Sequence, residues 1–389
     1  MGYREAVEEL TSRGSDRKEP ALENTKKALE ELGRPDRETE IILVGGTNGK
    51  GSVSGMIYEM LRSQGNSAGL FRSPHLVDLR ERVEKDGEMI GREEFMELYQ
   101  RIGSLEPELS FFEFMTVLAY RFFRDTDYAV MEVGMGGRLD ATNAAEPEIA
   151  VITNVELEHR KYLGRTREKI ADEIAGITPE DGVLVTDVEL ENVIDEAERN
   201  GTAILRPEKS GTEGEDHIVG EERFDIPLRG SFQSANLADA LKAVEALGER
   251  PDDVEGSLSG ISCPGRMEVV DRDPLYIHDG AHNPHALREV ISDYPEGFAA
   301  VFSALESKEV DRMVEVLEEK AEVLYLTESD VDWCMNPDEI QELCSVRSEV
   351  VRDPGEAVRT ARDRGLPVVV TGSLYLVGAV RSRSMNDRN

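Results

Sequence analysis

Residues 41–64, IILVGGTNGKGSVSGMIYEMLRSQ, leave this chain few folds to choose from. The apolar run Ile41-Ile42-Leu43-Val44 reads as a buried strand. It breaks into Gly45-Gly46-Thr47-Asn48-Gly49-Lys50-Gly51-Ser52. Apolar residues then recur at Val53, Met56, Ile57, Met60 and Leu61, the i, i+3, i+4, i+7, i+8 spacing of an amphipathic helix. Strand, glycine-rich turn and helix N-terminus in succession make an anion site. Backbone N–H groups and the positive helix end converge where glycines let a phosphate approach. Lys50 would neutralise β/γ-phosphate oxygens, and Ser52 would reach a magnesium ion. The strict P-loop spacing is not met, because three residues separate Gly45 from Gly49 and Ser52 follows Lys50 by two places. A turn that binds nothing is the plainer reading of such glycines. The flanking strand and helix and the Lys/Ser pair favour a nucleotide-phosphate site.

At 389 residues the chain has room for two domains. Its 39% hydrophobic content suits a soluble globular protein, and no run of 18 apolar residues suggests a membrane span. Met1 leads into a polar segment without the apolar core of a signal peptide. Cys263, Cys334 and Cys344 lack metal-ligand spacing and cannot all pair, so a reducing cytoplasm is expected. The formal net charge is −35, from 80 acidic against 45 basic residues, which disfavours nucleic acid and anionic membranes as partners. The basic residues are 11 lysines and 34 arginines, and the acids are spread along the whole chain rather than gathered in a tail. Both features suit a high-salt interior that screens the charge.

In order, residues 3–33 read as two polar helices around a break at 14–16. After the first βα unit, residues 67–71 form a short strand ending in Arg72-Ser73-Pro74-His75-Leu76. Pro74 holds Ser73 extended, at the strand edge where open α/β sheets bind ligands, although a lone Ser-Pro is more often only a turn. Phe111-Phe112-Glu113-Phe114 opens an apolar helix to Phe123, whose aromatics suit the core. Residues 128–133 form a buried strand carrying Glu132 and running into Gly134-Met135-Gly136-Gly137-Arg138-Leu139-Asp140. A buried carboxylate is costly unless paired or bound to a cation, and a magnesium ligand is the economical explanation. Strand 149–154 is followed by Glu158-His159. Magnesium prefers oxygen, so locally His159 reads as a loop residue. Helix 166–175, strand 183–186, helix 191–199 and strand 203–205 continue a βα alternation that implies a largely parallel sheet. Residues 211–222 read as a polar surface hairpin or loop. Gln233, Asn236 and a helix to Leu247 precede Cys263-Pro264-Gly265-Arg266. Strand 275–278 then meets Asp279-Gly280-Ala281-His282-Asn283-Pro284, where Pro284 suits a first helical turn and Asp279 reads equally well as a helix cap. Strands at 299–302, 323–326 and 368–371 complete a second, smaller α/β domain, giving domains 1–267 and 268–389.

Together these segments resemble the dihydrofolate synthase/folylpolyglutamate synthase family of Mur-type amide ligases. The motifs that carry the resemblance are GTNGKGS from Gly46, SPHL from Ser73, FEF from Phe112, EVGMGGRLDATN from Glu132, PGR from Pro264 and DGAHNP from Asp279. The resemblance implies an α/β architecture: a P-loop-type parallel-sheet domain like the Mur ligase central domain, then a smaller Rossmann-like domain. It implies ATP between the domains, with Asn48, Gly49, Lys50, Gly51 and Ser52 on the phosphates and Asn236, Arg266 and Asp279 completing the site. Ser73, Glu132 and His159 would hold Mg2+, which reverses the local reading of the histidine. Ser110, Phe111, Phe112, Glu113, Leu139, Asp140 and Ala141 would contact the pterin, and His282 and Asn283 would lie near the phosphates. Lys50, Glu132, His159 and His282 would be the catalytic set.

The implied reaction moves the γ-phosphoryl of ATP onto a carboxylate, and L-glutamate then displaces phosphate from the acyl phosphate. The expected partners are ATP, L-glutamate and a folate or dihydropteroate, acting on a cytoplasmic monomer. Two positions depart from the family pattern. Ile174, before Ala175-Gly176-Ile177, stands where the family has a carbamate-bearing lysine, so Asp172 or Glu173 would have to supply a substitute carboxylate. Phe232 stands where a histidine precedes the glutamine. The same chemistry on another acid-bearing pterin or cofactor, and a non-catalytic nucleotide-binding paralogue, are the competing readings.

Overall fold

The computed structural model describes residues 2–14, 22–160 and 162–386. The chain divides into two compact units. The first comprises Met1–Ser73, Leu79–Ile226 and Ser234–Ile261, and the second Pro74–Asp78, Pro227–Gln233 and Ser262–Asn389.

The first unit is built on strands β1 (Glu40–Gly45), β2 (Ala68–Phe71), β3 (Val83–Lys85), β4 (Glu88–Met89), β5 (Tyr128–Glu132), β6 (Ile149–Ile152), β7 (Val183–Val185) and β8 (Ala203–Leu205), in the order β4-β3-β2-β5-β1-β6-β7-β8. All neighbours are parallel except the β2–β3–β4 edge. Every residue of β2, β5 and β6 is buried, as continuous apolar runs require when helices cover both faces of a parallel sheet. Because β1 lies between β5 and β6, with β2 beyond β5, the C-terminal ends Gly45, Phe71, Glu132 and Ile152 lie along one edge. Helix Lys50–Ser63 starts directly after Gly49.

Helices Tyr3–Ser12 and Leu22–Glu31 occupy the predicted N-terminal region; of the expected break at 14–16, residues 15 and 16 lie outside the described residues. The expected surface hairpin is a three-stranded antiparallel sheet of β9 (Ser210–Glu213), β10 (Asp216–Val219) and β11 (Glu222–Phe224).

The second unit holds β12 (Glu268–Arg272), β13 (Leu275–His278), β14 (Phe298–Phe302), β15 (Ala321–Leu326), β16 (Ser348–Val350) and β17 (Val368–Thr371), in the order β12-β13-β17-β14-β15-β16 with only β12 antiparallel. Its core packs Leu287, Phe298, Phe302, Leu317 and Leu324. The Pro264–Arg266 turn and the loop after β13 both belong to this unit.

Candidate active site

The phosphate loop is shaped by the strand beside it. Thr47 N–H donates to the Asn154 carbonyl at 2.9 Å and Asn48 N–H to Asn154 Oδ1 at 3.0 Å, while Thr153 Oγ1 and Asn154 Nδ2 donate to the Asn48 carbonyl at 2.6 and 2.9 Å. Gly46 has φ +126, and a β-carbon there would collide with Thr153 Oγ1. Thr153 and Asn154 therefore mould the loop, a role that sequence reasoning missed. The available signal was two polar residues closing an apolar strand that pairs with β1.

Lys50 Nζ donates to the carbonyls of Gly46 and Thr47 at 2.8 and 3.0 Å, so its ammonium sits within the curve of the loop. Ser52 is buried in the first helical turn. Gly49, at φ +86, packs so tightly on Asn236 that a β-carbon would strike Oδ1. This brings helix Gln233–Ala246 to the loop.

Glu132 ends β5 and is buried. Its Oε2 accepts the Ser73 N–H at 2.8 Å, and both carboxylate oxygens lie 3.6–3.7 Å from where a Gly51 β-carbon would stand. Loop, β2 end, β5 end and helix thus bring Asn48, Gly49, Lys50, Gly51, Ser52, Ser73, Glu132 and Asn236 together. A carboxylate against the N-terminus of a phosphate-loop helix, beside a serine, is the oxygen-donor environment that magnesium takes. These residues fit the cation. Among the described residues no three His, Cys, Asp or Glu side chains gather as a metal cluster.

His159 adopts the left-handed backbone at φ +48, uncommon for a residue with a β-carbon. With Lys50, Glu158 and Ile174 it lines a small cavity behind the loop. Of the suggested substitutes for the missing lysine, Asp172 is exposed and accepts from Asn192 Nδ2 at 2.6 Å, so it points away from the cavity. Glu173 gives its backbone carbonyl to Arg138 N–H at 2.8 Å. Its β-carbon lies 3.7 Å from where a β-carbon on Gly136, a residue of the cavity lining, would stand.

The expected pterin contacts have structural duties of their own. Ser110 caps helix Phe111–Phe123, and Glu113 Oε2 returns a bond from Ser110 N–H at 2.7 Å. The S-x-x-E signature of this reciprocal cap is legible in SFFE. Phe112 covers Gly134, where a β-carbon would lie 2.5 Å from the ring, and its centroid is 5.8 Å from that of Phe71. The Arg82 guanidinium sits 5.0 Å from the Phe111 ring centroid. Asp140 accepts from Met135 N–H and Thr142 N–H, both at 3.0 Å, and caps the short helix Ala141–Ala144. Burial pushes its carboxyl pKa upward against those bonds. Leu139 is 45% exposed and Ala141 is buried.

In the second unit, Asp279 Oδ2 accepts Met267 N–H at 2.8 Å and Oδ1 accepts Ala281 N–H at 2.7 Å. The cap of helix Pro284–Ser292 is Asn283, whose Oδ1 accepts Ala286 N–H at 2.8 Å, so the capping alternative for Asp279 is corrected. Asp279 instead ties the Pro264–Arg266 turn to the loop after β13. Burial raises its pKa, and the half-buried Arg266 opposes the rise. His282 Nδ1 lies 2.9 Å from the Gly280 carbonyl, which places the proton on Nδ1.

The Mur ligase middle-domain model matches residues 44–244, and the model for the Mur ligase glutamate ligase domain matches residues 265–374. A probable bifunctional folylpolyglutamate synthase/dihydropteroate synthase of Haloferax volcanii is 33% identical, with 98% of this chain covered and 50% of the relative; the chain spans about half of that protein's length. Escherichia coli FolC, solved in complex with DHPP and ADP, has a TM-score of 0.92 at 25% identity, covering 100% of this chain and 99% of that one. The bifunctional folylpolyglutamate synthase/dihydrofolate synthase of Yersinia pestis, solved with AMPPNP and Mn, has a TM-score of 0.87 at 27% identity over 99% and 98% of the two chains. Among the described residues no helix is long and apolar enough to cross a membrane. The fold is thus shared along the whole length of solved structures, and this chain belongs to the Mur ligase family, in its dihydrofolate synthase/folylpolyglutamate synthase branch.

Proposed function

We propose that this chain is an ATP- and magnesium-dependent ligase that joins the amino group of L-glutamate to the carboxylate of dihydropteroate or a reduced folate, as a cytoplasmic monomer. The observation that carries the reading is Glu132, buried against the first turn of the phosphate-loop helix. A carboxylate there repels a triphosphate unless a dication lies between them. Glu132 and Ser73 would hold magnesium, with His159 the further expected ligand, and the ion would supply charge neutralisation to the transferring phosphoryl group.

The chain's own groups do the rest. Backbone N–H groups of residues 49–52 cradle the phosphates, and Lys50 spreads the charge that develops as the substrate carboxylate takes the γ-phosphoryl and ADP leaves. The neutral amine of glutamate then attacks the acyl carbon, phosphate departs, and the amine proton is lost to solvent. Asn236 in the first unit and Arg266, Asp279, His282 and Asn283 in the second are proposed nucleotide contacts. Phe111, Phe112 and the exposed Leu139 are proposed to offer apolar surface to the pterin. No covalent enzyme intermediate is required.

The test offers purified protein ATP, Mg2+, glutamate and a panel of pteroates and folates in molar KCl, and follows glutamyl addition by mass spectrometry. One or more should gain a glutamyl unit, and Glu132→Ala should lower the rate by at least a hundredfold. If every pteroate stayed unchanged while another acid was consumed, the substrate would be reassigned and the ligase retained.

A further inference from the structure

Helix Phe111–Phe123 meets the loop after β5 at both ends of that loop. Phe112, Thr116 and Tyr120 recur every fourth residue and so share one helix face. At the near end of the loop Phe112 closes over Gly134, where its ring leaves no room for a β-carbon. At the far end the buried Tyr120 Oη donates to the Thr142 carbonyl at 2.5 Å. Between these two holds lie Leu139, Asp140 and Ala141, the proposed pterin contacts.

The residue that Tyr120 holds is also tied inside the loop. Thr142 N–H and Oγ1 donate to Asp140 Oδ1 at 3.0 and 2.7 Å, and Asp140 Oδ2 accepts Met135 N–H at 3.0 Å. Away from the helix, Arg138 N–H donates to the Glu173 carbonyl at 2.8 Å and Asn143 Nδ2 to the Gly176 carbonyl at 2.9 Å. Burial holds the Tyr120 phenol pKa well above its ordinary value, with the charges of Asp36 and Asp140 adding to the rise and Arg34 opposing it. The group therefore stays a hydrogen-bond donor. Thr142 is fully buried, so taking that donor away leaves its carbonyl short of a partner, and a shift of the loop toward water relieves the deficit.

We propose that Tyr120 is a positioning residue for the acceptor substrate. Its hydroxyl, through the Thr142 carbonyl, fixes residues 134–142 against helix Phe111–Phe123 and so sets the surface offered to the pterin. The inference rests on the proposed pterin contacts. Glu132 and the phosphate loop lie ahead of the Gly134 hold in the chain, so the nucleotide side should not feel the loss of the hydroxyl.

Tyr120→Phe keeps the ring and removes the hydroxyl. With an acceptor that the wild type glutamylates, the variant's KM for that acceptor should rise about five- to tenfold. Its KM for ATP and its Kd for ADP should stay within about twofold of the wild type. Hydrogen exchange at the amides of residues 134–144, read by mass spectrometry, should quicken in the variant. An unchanged acceptor KM beside a lowered Tm would make Tyr120 a core residue and nothing more. Equal rises in both KM values would mean that the whole site had loosened, and either result overturns the inference. If the wild type glutamylated no pteroate or folate, the functional reading would fall and exchange would still decide the hold. Equal protection in the two proteins would overturn it, and exchange quickened in this loop alone would sustain it.

Discussion

Gly49 shows what one missing β-carbon does for this site. Its φ of +86 costs an L-residue about 1–2 kcal/mol, and the new carbon would also displace Asn236 from the loop. Gly49→Ala should therefore fold with a modest loss of thermal stability and bind ADP at least tenfold more weakly by calorimetry. An unchanged Kd would detach the loop from nucleotide binding. One helical turn beyond Asn236 lies Asp239, buried within helix Gln233–Ala246. Burial, reinforced by the charge of Asp187, holds its pKa well above the ordinary carboxylate range. With the folded pKa raised, this group's contribution to stability is full below the unfolded value near 3.9 and is lost as pH rises through the folded value. Asp239→Asn should raise the Tm at pH 8 by about 2–4 °C, corresponding to ~1 kcal/mol, and the gain should vanish near pH 4. A gain that persisted in acid would point to packing rather than charge.

At the scale of single elements, β13 carries the second titrating group of interest. His278 Nε2 lies 2.6 Å from Tyr276 Oη, and burial lowers its pKa to about 4, with Glu268 opposing the shift and Arg381 adding to it. The native strand thus holds a neutral imidazole. Stability from this group is complete above the unfolded value near 6.5 and is lost as pH falls toward 4, at up to ~1.4 kcal/mol per pH unit. The Tm of His278→Gln should fall less steeply than that of the wild type between pH 6.5 and 4 in melts at fixed KCl, and parallel curves would exclude the histidine. How much an element reveals in sequence depends on whether its signal is local. Strand, glycine turn and helix around Lys50 were legible because each is written in consecutive residues, and Glu132 because a charge in an apolar strand stands out. The hairpin of β3 and β4 was overlooked although Asp86-Gly87 is a strong turn signal, because its strands are too short to show alternation. Ser110 and Asp140 were expected only as pterin contacts implied by the family resemblance; the S-x-x-E cap at Ser110 was written in the sequence and overlooked, and the backbone partners of Asp140 appear only once the helix end is placed. The neighbours of His159 come from the phosphate loop and from helix Arg167–Ala175, so no window of sequence contains that cavity.

The whole molecule carries a net charge of −35, and this sets the conditions under which either unit holds together. Its arginines pair widely with surface acids, as Arg352 does with Glu328 and Asp338 and Arg383 with Asp330 and Asp353. Such exposed pairs contribute only about 0–1 kcal/mol each, too little to offset the repulsion among the acids left over. Salt shortens the reach of that repulsion from about 10 Å at 0.1 M to about 3 Å at 1 M. The Tm should therefore climb by roughly 10 °C or more between 0.1 and 2 M KCl, and sucrose of matched osmolality, which leaves charge unscreened, should give a clearly smaller gain. The same field would act on the proposed substrates, since ATP and folates are anions approaching an anion. Long-range repulsion slows their encounter at low ionic strength, so the association rate of ATP should rise with KCl, opposite in sign to a site steered by surrounding basic charge. Stopped-flow binding across 0.3–2 M KCl, kept to the range where melts show the chain folded, separates this effect from stability. A rate that fell with salt would mean that local positive groups such as Lys50, rather than the net charge, govern how the nucleotide arrives.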